Sequence, residues 1–347
     1  MIQTCLDKVT NTNDLSRSES FTLMSGIMEK EYTDIQVAAL VTALKSKGET
    51  PEEITGFSQA MRAKSTQLSS DESIILDTCG TGGDGQNTFN ISTIVAIVAA
   101  AAGVNVAKHG NRAVSSSCGS ADLLEQLGVN LSSSVKEAEK LLSKEQITFL
   151  YAPSYHSAMK HVKNVRQDLG MRTVFNLLGP LTNPAGTRHQ LLGVFKPDLT
   201  ETFAEVLKGL GSQKAMVVSG LCGSDEISLT GETKVTELQD GCLTNYRITP
   251  EAYGFTKCEP TDLTGGSPEQ NAQITLDILQ GKPGAKRDII LLNTGAALYT
   301  AEMAKNVQEG IEIAQSTIDS GRALEKLERF KRHSHLITNT QNEQAGA

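Results

Sequence analysis

The sequence predicts an α/β protein in which a small all-helical N-terminal domain precedes a larger α/β domain with a mostly parallel central sheet. Three observations predict this fold. Helix caps and helically spaced apolar residues occupy the first seventy or so positions, short apolar runs then alternate with helical patterns, and the last sixty or so positions are helical again. Alternating strands and helices imply a largely parallel sheet covered by helices.

The N-terminal helices are predicted from their caps. Three pairs fit the reciprocal capping box, in which a hydroxyl and a Glu or Gln three residues later satisfy each other's backbone N–H groups: Ser16 with Glu19, Thr33 with Gln36, and Thr50 with Glu53. Pro51 stands at a first helical position, where its missing N–H costs nothing. We therefore expect a helical domain over residues 1–72.

The α/β domain is predicted from short apolar runs that read as buried strands. These runs are 74–76, 104–107, 147–151, 191–195 and 215–218, and helical patterns at 121–127, 135–142 and 199–210 separate them. The first run is expected to end at Asp77, where a glycine-rich loop begins. A turn-linked pair at 235–238 and 243–248 predicts antiparallel strands.

Composition and charge restrict the classes of function. The 347 residues are 39% hydrophobic and 21% charged, which is typical of a globular protein. The formal net charge of −8 disfavours nonspecific binding of nucleic acid. Six cysteines lie far apart without a CxxC or zinc-ligand spacing, which indicates reduced thiols.

No segment is predicted to span or enter a membrane. The most apolar stretch, Ile91 to Ala107, is interrupted by polar residues and glycine and is better explained by a buried helix followed by a strand. The N-terminus lacks the basic and then apolar pattern of a signal peptide. We expect a cytoplasmic protein.

A glycine loop, Asp77-Thr-Cys-Gly-Thr-Gly-Gly-Asp-Gly85, follows the first strand. Gly80, Gly82 and Gly85 formally match GxGxxG, but no acidic residue occurs between Asp84 and Asp122 to bind a ribose, as a dinucleotide site requires. No Gly-Lys-Ser/Thr follows either, so a Walker loop is excluded. The glycines allow close approach of the backbone to a phosphate.

The segments after the glycine loop add groups suited to a phosphate. Asn90-Ile-Ser-Thr93 offers hydroxyls and the free N–H groups of a helix start, although taken alone it is better explained by a simple helix cap at Asn90 or Ser92. The next strand ends in Lys108-His-Gly-Asn-Arg112, followed by the hydroxyl-rich Ser115–Ser120. Because the carboxyl ends of neighbouring parallel strands line one crevice, we expect a polyphosphate site there.

These segments together resemble the signature of anthranilate phosphoribosyltransferases. The resemblance rests on the glycine loop, Asn90-x-Ser-Thr93 and Lys108-His-Gly-Asn-Arg112, and it continues through 152–156 with Met159, Val165-Arg166, 175–184 and Gly223-Ser-Asp-Glu226. Related pyrimidine nucleoside phosphorylases share the Gly-Thr-Gly-Gly-Asp motif, but the Lys-His-Gly-Asn and 175–184 segments are more specific. The departures are small: Tyr155 and Ser157 stand where the family often has histidine and proline, and Cys222 where a polar or charged residue is common.

The resemblance implies a nucleoside phosphorylase-like phosphoribosyltransferase fold with two hinged domains. It implies that a segment of about 167–188 returns to the helical domain, while the rest of 73–347 forms the α/β domain. It also implies a homodimer formed through the helical domain. The substrates would be phosphoribosyl pyrophosphate and anthranilate, bound in the cleft between the domains with magnesium.

The site residues that the resemblance implies fall into four overlapping groups. Lys108, Asp225 and Glu226 would serve catalysis, and Ser92, Asp225 and Glu226 would hold magnesium, which takes one or two carboxylates plus phosphate oxygens and water. Phosphoribosyl pyrophosphate would contact Gly80, Thr81, Gly82, Gly83, Asp84, Thr88, Asn90, Ser92, Thr93, Lys108 and Ser120. Anthranilate would contact Gly80, His109, Asn111, Tyr155, His156, Met159, Arg166, Gly179 and Pro180, with Arg166 holding the carboxylate.

Asp225 and Glu226 are neighbours before a strand-like Ile227-Ser-Leu. On a regular strand they would point to opposite faces, so both can reach one site only if the backbone bends there. Two alternative functions are considered: a pyrimidine nucleoside phosphorylase of the same fold, and a non-catalytic paralogue that binds nucleic acid. The acidic pair and Arg166 disfavour the first, and the net charge disfavours the second.

Overall fold

The computed structural model describes residues 1–113, 117–131 and 134–345, with side chains described up to residue 336. Four helices fill the N-terminal region: α1 (Ile2–Thr10), α2 (Arg17–Met28), α3 (Asp34–Lys47) and α4 (Pro51–Lys64). The three predicted capping boxes are present at the starts of α2, α3 and α4, and Pro51 opens α4. The helical N-terminal region is confirmed.

Seven strands form one sheet. They are β1 (Leu76–Gly80), β2 (Val106–Gly110), β3 (Ile147–Tyr151), β4 (His189–Gly193), β5 (Lys214–Gly220), β6 (Thr233–Gln239) and β7 (Cys242–Ile248). The order is β3-β2-β1-β4-β5-β6-β7, parallel from β3 to β5 and antiparallel from β5 to β7. The predicted sheet is confirmed, including its antiparallel pair.

The first two strands begin and end later than the apolar runs that predicted them. Asp77 lies inside β1 rather than in a loop, and Lys108 and His109 lie inside β2. These polar residues are buried, and both strands continue beyond the last residue of the apolar run. The reason is that the carboxyl ends of β1 and β2 carry polar side chains that face other polar groups.

Eleven further helices of the described chain cover the sheet or join the N-terminal helices. They are α5 (Ile91–Ala102), α6 (Ser120–Gln126), α7 (Val135–Glu145), α8 (Ala152–Tyr155), α9 (Lys163–Leu169), α10 (Val174–Leu178), α11 (Leu199–Gly209), α12 (Pro268–Leu279), α13 (Ala285–Thr300), α14 (Val307–Asp319) and α15 (Arg322–Ala345). Short 3₁₀ helices span Ser157–Val162, Gly179–Leu181, Pro250–Tyr253 and Pro260–Leu263. None of the helices in the described ranges is long and apolar enough to cross a membrane.

The two faces of the sheet belong to two different cores. Side chains alternate along a strand, so Leu191 belongs to the core that includes residues of α5, α13 and α14, while its neighbour Leu192 belongs to the core that includes the N-terminal helices and α11. The N-terminal core also takes in residues of α9 and α10, among them Val165 and Phe175. Helices α9 and α10 contact α3, and α10 also contacts α4, so this later segment packs against the first helices of the chain.

The strand order reverses at β1. The chain moves from β1 to β2 and β3 on one side and then crosses to β4 on the other. In open parallel sheets the crevice at such a reversal, outside the carboxyl ends of the strands, is where ligands bind. The paired strand ends there are Gly80 of β1 and Gly193 of β4.

Candidate active site

Two glycines at the ends of β1 and β4 make room for Asp225. A Cβ atom on Gly80 would lie 2.3 Å from Oδ2 of Asp225, and one on Gly193 would lie 1.4 Å from the Asp225 backbone oxygen. The N–H of Gly82 donates a hydrogen bond of 2.7 Å to the same Oδ2. The glycine loop and Asp225 therefore touch, as the sequence predicts for phosphate-loop and metal-binding residues of one site.

Lys108 reaches the glycine loop's strand and the start of α5. Its Nζ donates to the backbone oxygen of Thr78 and, over 3.1 Å, to Oγ of Ser92. Thr78 Oγ1 in turn donates to the Ser92 backbone oxygen at 2.9 Å. Burial lowers the pKa of Lys108, and the nearby Asp77, Glu226 and Asp225 oppose that shift. A buried ammonium beside a helix N-terminus is suited to a phosphate group.

Three carboxyl groups gather opposite Lys108. Burial and then the charge of Asp84 raise the pKa of Asp225 to about 6. Burial and then Asp225 raise the pKa of Glu226 well above its usual value, while Lys108 acts against that rise. Neighbouring carboxylates destabilise one another's charged forms. A cation bound between Asp84, Asp225 and Glu226 would relieve that repulsion.

The chain bends at Asp225 and Glu226, which confirms the bend that a shared site requires. The prediction of a strand directly after them is wrong, because residues 227–229 do not form one. The side chain of Asn293 on α13 satisfies the backbone there instead, with Oδ1 accepting from the Ile227 N–H at 3.0 Å and Nδ2 donating to its carbonyl at 2.9 Å.

The donor set fits a magnesium ion that is completed by a ligand. Among the described residues, no cluster of three or more His, Cys, Asp or Glu side chains is arranged to hold a metal alone. Magnesium commonly takes only one or two carboxylates and fills its other positions with phosphate oxygens and water. Asp225 and Glu226, with the Ser92 hydroxyl beside Lys108, supply such a partial set. Oδ2 of Asp84 is also buried and without a hydrogen-bond partner.

His109, the next residue on β2, lies on the opposite side of the strand from Lys108. Its ring is centred 5.1 Å from that of His156, whose Nε2 donates to the Thr182 backbone oxygen at 3.0 Å. Burial lowers the pKa of His109 to about 3 and that of His156 to about 4. Both imidazoles are therefore neutral at physiological pH, and their rings, tilted by 59° to each other, form an uncharged aromatic wall.

The remaining residues predicted to contact anthranilate lie in different surroundings. Arg166 on α9 is partly buried, burial lowers its pKa, and no acidic group of the described chain pairs with it. A Cβ atom on Gly179 would have no other atom within 4 Å, and the next residue, Pro180, is buried. Met159 packs against the N-terminal core, and Asn111 is exposed at the end of β2.

Tyr155 is placed differently from its neighbour His156. Its side chain belongs to a separate apolar cluster with Leu68, Ala138 and Leu142, and burial raises its pKa to about 12. The hydroxyl is buried without a hydrogen-bond partner. These contacts give no support to Tyr155 as a residue that lines the aromatic site, because its ring is already packed against core side chains.

The other residues predicted for the phosphate ligand surround the start of α5. Asn90 precedes that helix without capping it, since its side chain donates to the Cys118 backbone oxygen and accepts from Asn271. Thr93 is buried. Thr81, Gly83 and Thr88 lie on the loop before the helix, and Ser120 opens α6, where its hydroxyl donates to the Asn111 carbonyl. Ser115 and Ser116 lie outside the described residues.

Arg172 is a site residue that the sequence did not suggest. Its Nη2 donates to the backbone oxygens of Gly82 and Gly83 from a position 90 and 89 residues away in the chain. Nothing in the linear pattern distinguishes this arginine from a surface residue. Only the return of the chain after α9 brings it to the glycine loop.

Comparisons with known proteins identify the family of this chain. The helical bundle domain of the glycosyl transferase family matches residues 3–65, and the a/b domain of that family matches residues 72–324. The anthranilate phosphoribosyltransferase of Alkaliphilus metalliredigens is 50% identical over 330 residues, which cover 95% of this chain and 97% of that protein. The protein of the same name from Acetivibrio thermocellus is 49% identical, over 95% and 96% of the two chains.

Solved structures that resemble this chain are also anthranilate phosphoribosyltransferases. The crystal structure of anthranilate phosphoribosyltransferase from Thermus thermophilus matches with a TM-score of 0.91 and 41% identity, covering 95% of this chain and 99% of that one. The Saccharomyces cerevisiae enzyme, solved in complex with PRPP and Mg, matches with a TM-score of 0.88 and 31% identity over 96% and 98% of the chains. The chain belongs to the anthranilate phosphoribosyltransferase family.

Proposed function

We propose that this protein transfers the phosphoribosyl group of phosphoribosyl pyrophosphate to the amine of anthranilate, as a step of tryptophan biosynthesis. A new bond forms between the anthranilate nitrogen and the anomeric carbon, the bond from that carbon to pyrophosphate breaks, and the nitrogen loses a proton. The observation that carries the proposal is the division of the site by β2. Lys108 faces the glycine loop and the carboxylates, and His109 faces a neutral aromatic wall.

On the Lys108 side, phosphoribosyl pyrophosphate would bind between the glycine loop and the start of α5. Its contacts would come from Gly80 to Asp84, Thr88, Asn90, Ser92, Thr93 and Ser120. Ser92, Asp225 and Glu226 would hold magnesium, which when bound would neutralise charge on the departing diphosphate. Lys108 would add a positive charge beside the leaving group, where a preorganised charge stabilises the transition state.

On the His109 side, anthranilate would lie with its ring between the two histidines and the open space at Gly179 and Pro180. Arg166 would bind the carboxylate, because a planar guanidinium donates two parallel hydrogen bonds to such a group. Asn111 would hydrogen-bond near the amine, Gly80 would approach the ring from the glycine loop, and Met159 would complete the apolar wall. Tyr155 is left out of this subsite, because its ring is packed against core side chains.

No strong general base is evident among the described residues. Burial lowers the pKa of His109 to about 3 and that of His156 to about 4, which makes both imidazoles weak bases. An arylamine that has become cationic loses its proton readily, so catalysis would come mainly from placing two substrates together and stabilising the leaving group. Closure of the two domains would exclude water from a sugar centre that water could otherwise attack.

Three broader features belong to the same proposal. The helical domain would comprise residues 1–72 with a returning segment of about 167–188, and the rest of 73–347 would form the α/β domain. The protein would act as a homodimer through the helical domain, in the cytoplasm. The contacts of α9 and α10 with α3 support the returning segment.

The alternatives are not favoured. The curated relatives described above carry the name anthranilate phosphoribosyltransferase rather than that of a nucleoside phosphorylase. A nucleoside phosphorylase would need neither the magnesium carboxylates nor a carboxylate-binding arginine. A nucleic-acid-binding paralogue would have no use for a buried acidic pair opposite Lys108.

The test is a fluorescence assay of anthranilate consumption. The proposal expects loss of anthranilate fluorescence only when phosphoribosyl pyrophosphate and magnesium are both present, with pyrophosphate released in equal amount. Incubation with thymidine and phosphate should give no free base. Turnover of thymidine, or no consumption of anthranilate, would contradict the proposal.

A further inference from the structure

Arg172 connects the segment that packs on the N-terminal helices to the glycine loop of the α/β domain. It follows Gly170, where the chain turns with a φ of +57° after α9, and precedes α10. Helices α9 and α10 both contact α3. The backbone of Arg172 is thus anchored on the helical side of the cleft, while its guanidinium reaches across to the other side.

The guanidinium is held by the glycine loop and by an aromatic ring. Nη2 donates to the carbonyl of Gly82 at 3.1 Å and to that of Gly83 at 2.5 Å. The central carbon lies 4.3 Å from the centre of the Phe195 ring, and the Phe195 N–H donates to Oγ1 of Thr81 at 3.2 Å. Arg172 therefore holds the loop directly through two carbonyls and indirectly through Phe195.

Gly82 is hydrogen-bonded through both its N–H and its carbonyl group. Its N–H binds Oδ2 of Asp225 and its carbonyl binds Arg172. The packing is tight, since a Cβ atom on Gly83 would lie 1.3 Å from Nη2 of Arg172. A flexible glycine segment with positive φ at Gly82 and Gly83 loses much of its conformational freedom when the peptide units on both sides of Gly82 are hydrogen-bonded.

The positive charge of Arg172 is not neutralised by an acidic partner. Within the described ranges, no Asp or Glu side chain forms an ion pair with it. Its acceptors are neutral backbone carbonyls. A purely structural surface arginine needs no such arrangement, whereas a cation behind a phosphate-binding loop adds to the local positive potential.

We propose that Arg172 is a positioning residue for phosphoribosyl pyrophosphate. It fixes the Gly82–Gly83 peptide from the helical side of the cleft, so that the loop is preorganised before the diphosphate arrives. Arg166, six residues earlier, stands on the same segment, so one stretch of chain serves both subsites. This inference rests on the proposed function, because it assigns the residue to the diphosphate subsite of that reaction.

The test compares Arg172→Met with Arg172→Lys and wild type. Methionine keeps an apolar contact with Phe195 but loses the charge and both donors, so we expect the KM for phosphoribosyl pyrophosphate to rise about tenfold or more. The KM for anthranilate should change less than twofold. Lysine should recover part of the loss, because it keeps the charge without the planar stacking. Arg247→Met, an exposed arginine on β7 paired with Glu232, is the matched control.

Calorimetric titration of phosphoribosyl pyrophosphate with magnesium gives a second readout that does not depend on turnover. Weaker binding to Arg172→Met with an unchanged unfolding temperature supports the inference. Equal rises in both KM values, or unchanged binding, would overturn it. If Arg172→Met is unstable, Phe195→Leu serves instead, with the same expected split between the two KM values and the same contrary result. Failure of wild type to consume anthranilate would instead count against the proposed function.

Discussion

The amide nitrogen of Gly82 lies 2.7 Å from Oδ2 of Asp225, although 143 residues separate them in the chain. The acid therefore serves the glycine loop as a hydrogen-bond acceptor while its pKa is raised to about 6 by burial and by Asp84. A carboxylate with a raised pKa is held in the folded protein at a cost in free energy. Such a cost is typical of a site that functions with a bound cation.

The double variant Asp225→Asn with Glu226→Gln is expected to lose magnesium-dependent turnover, by about 1000-fold or more in kcat/KM, because it removes the metal carboxylates. The fold should remain, since an amide oxygen can still accept the Gly82 N–H and the repulsion between the acids is relieved. Steady-state kinetics and thermal unfolding measure the two effects. Asp277→Asn, a half-buried acid on α12 paired with Lys282, is the control. Undiminished turnover in the double variant would remove the metal assignment.

Gly193→Ala is expected to be far more damaging than an ordinary change of glycine to alanine. The added Cβ would lie 1.4 Å from the Asp225 backbone oxygen, so the segment that carries both acids must move. We expect loss of most activity together with a lower unfolding temperature. Gly231→Ala is the matched control, because nothing lies within 4 Å of a Cβ at that glycine. Normal activity in Gly193→Ala would contradict the proposed crowding at the strand ends.

The two neutral histidines predict how stability depends on pH. A histidine whose pKa is lowered on folding binds fewer protons in the folded state than in the unfolded state. The contribution of His156 to stability is therefore complete above its unfolded pKa of 6.5 and is lost as the pH falls toward its folded value of about 4. The loss amounts to about 1.4 kcal/mol per pH unit for one such histidine.

His156→Gln should weaken that dependence. Measured by chemical denaturation at pH 7.5 and pH 5, the free energy of unfolding should fall less steeply in the variant than in wild type. His335→Gln, an exposed histidine on α15 that contacts the Gly128 carbonyl, provides the control and should behave as wild type. An identical slope in wild type and His156→Gln would show that His156 is not a buried neutral group.

The fold was largely predictable because its signals are local. Capping boxes such as Thr50 with Glu53 involve residues three positions apart, and each of the first five strands overlaps an apolar run of its own. The ends of β1 and β2 were missed because Asp77 and Lys108 are buried polar residues, whose partners come from elsewhere in the chain. The strand expected after Glu226 fails for a similar reason, since Asn293 takes the place of a neighbouring strand.

The site was predictable only where a motif is contiguous. The glycine loop and Lys108-His-Gly-Asn carry their chemistry in adjacent residues, and the alternation of a strand then assigns Lys108 and His109 to different sides. Arg172 depends on a crossing of the chain that no local pattern encodes. The packed ring of Tyr155 likewise depends on Leu68 and Leu142, which lie far from it in the sequence.

Arg166→Ala is expected to separate the two substrates kinetically. The guanidinium is partly buried and has no acidic partner among the described residues, so it is available to a carboxylate from outside the chain. Loss of a paired, charge-assisted interaction of about 2–3 kcal/mol would raise the KM for anthranilate about 30-fold or more. The KM for phosphoribosyl pyrophosphate should change little, because the contacts proposed for that substrate come from the glycine loop, the start of α5 and Lys108 rather than from α9. Lys163→Ala, an exposed residue on the same helix, should leave both constants unchanged. A similar rise in both KM values for Arg166→Ala would show that the arginine supports the structure of the cleft rather than the carboxylate of anthranilate.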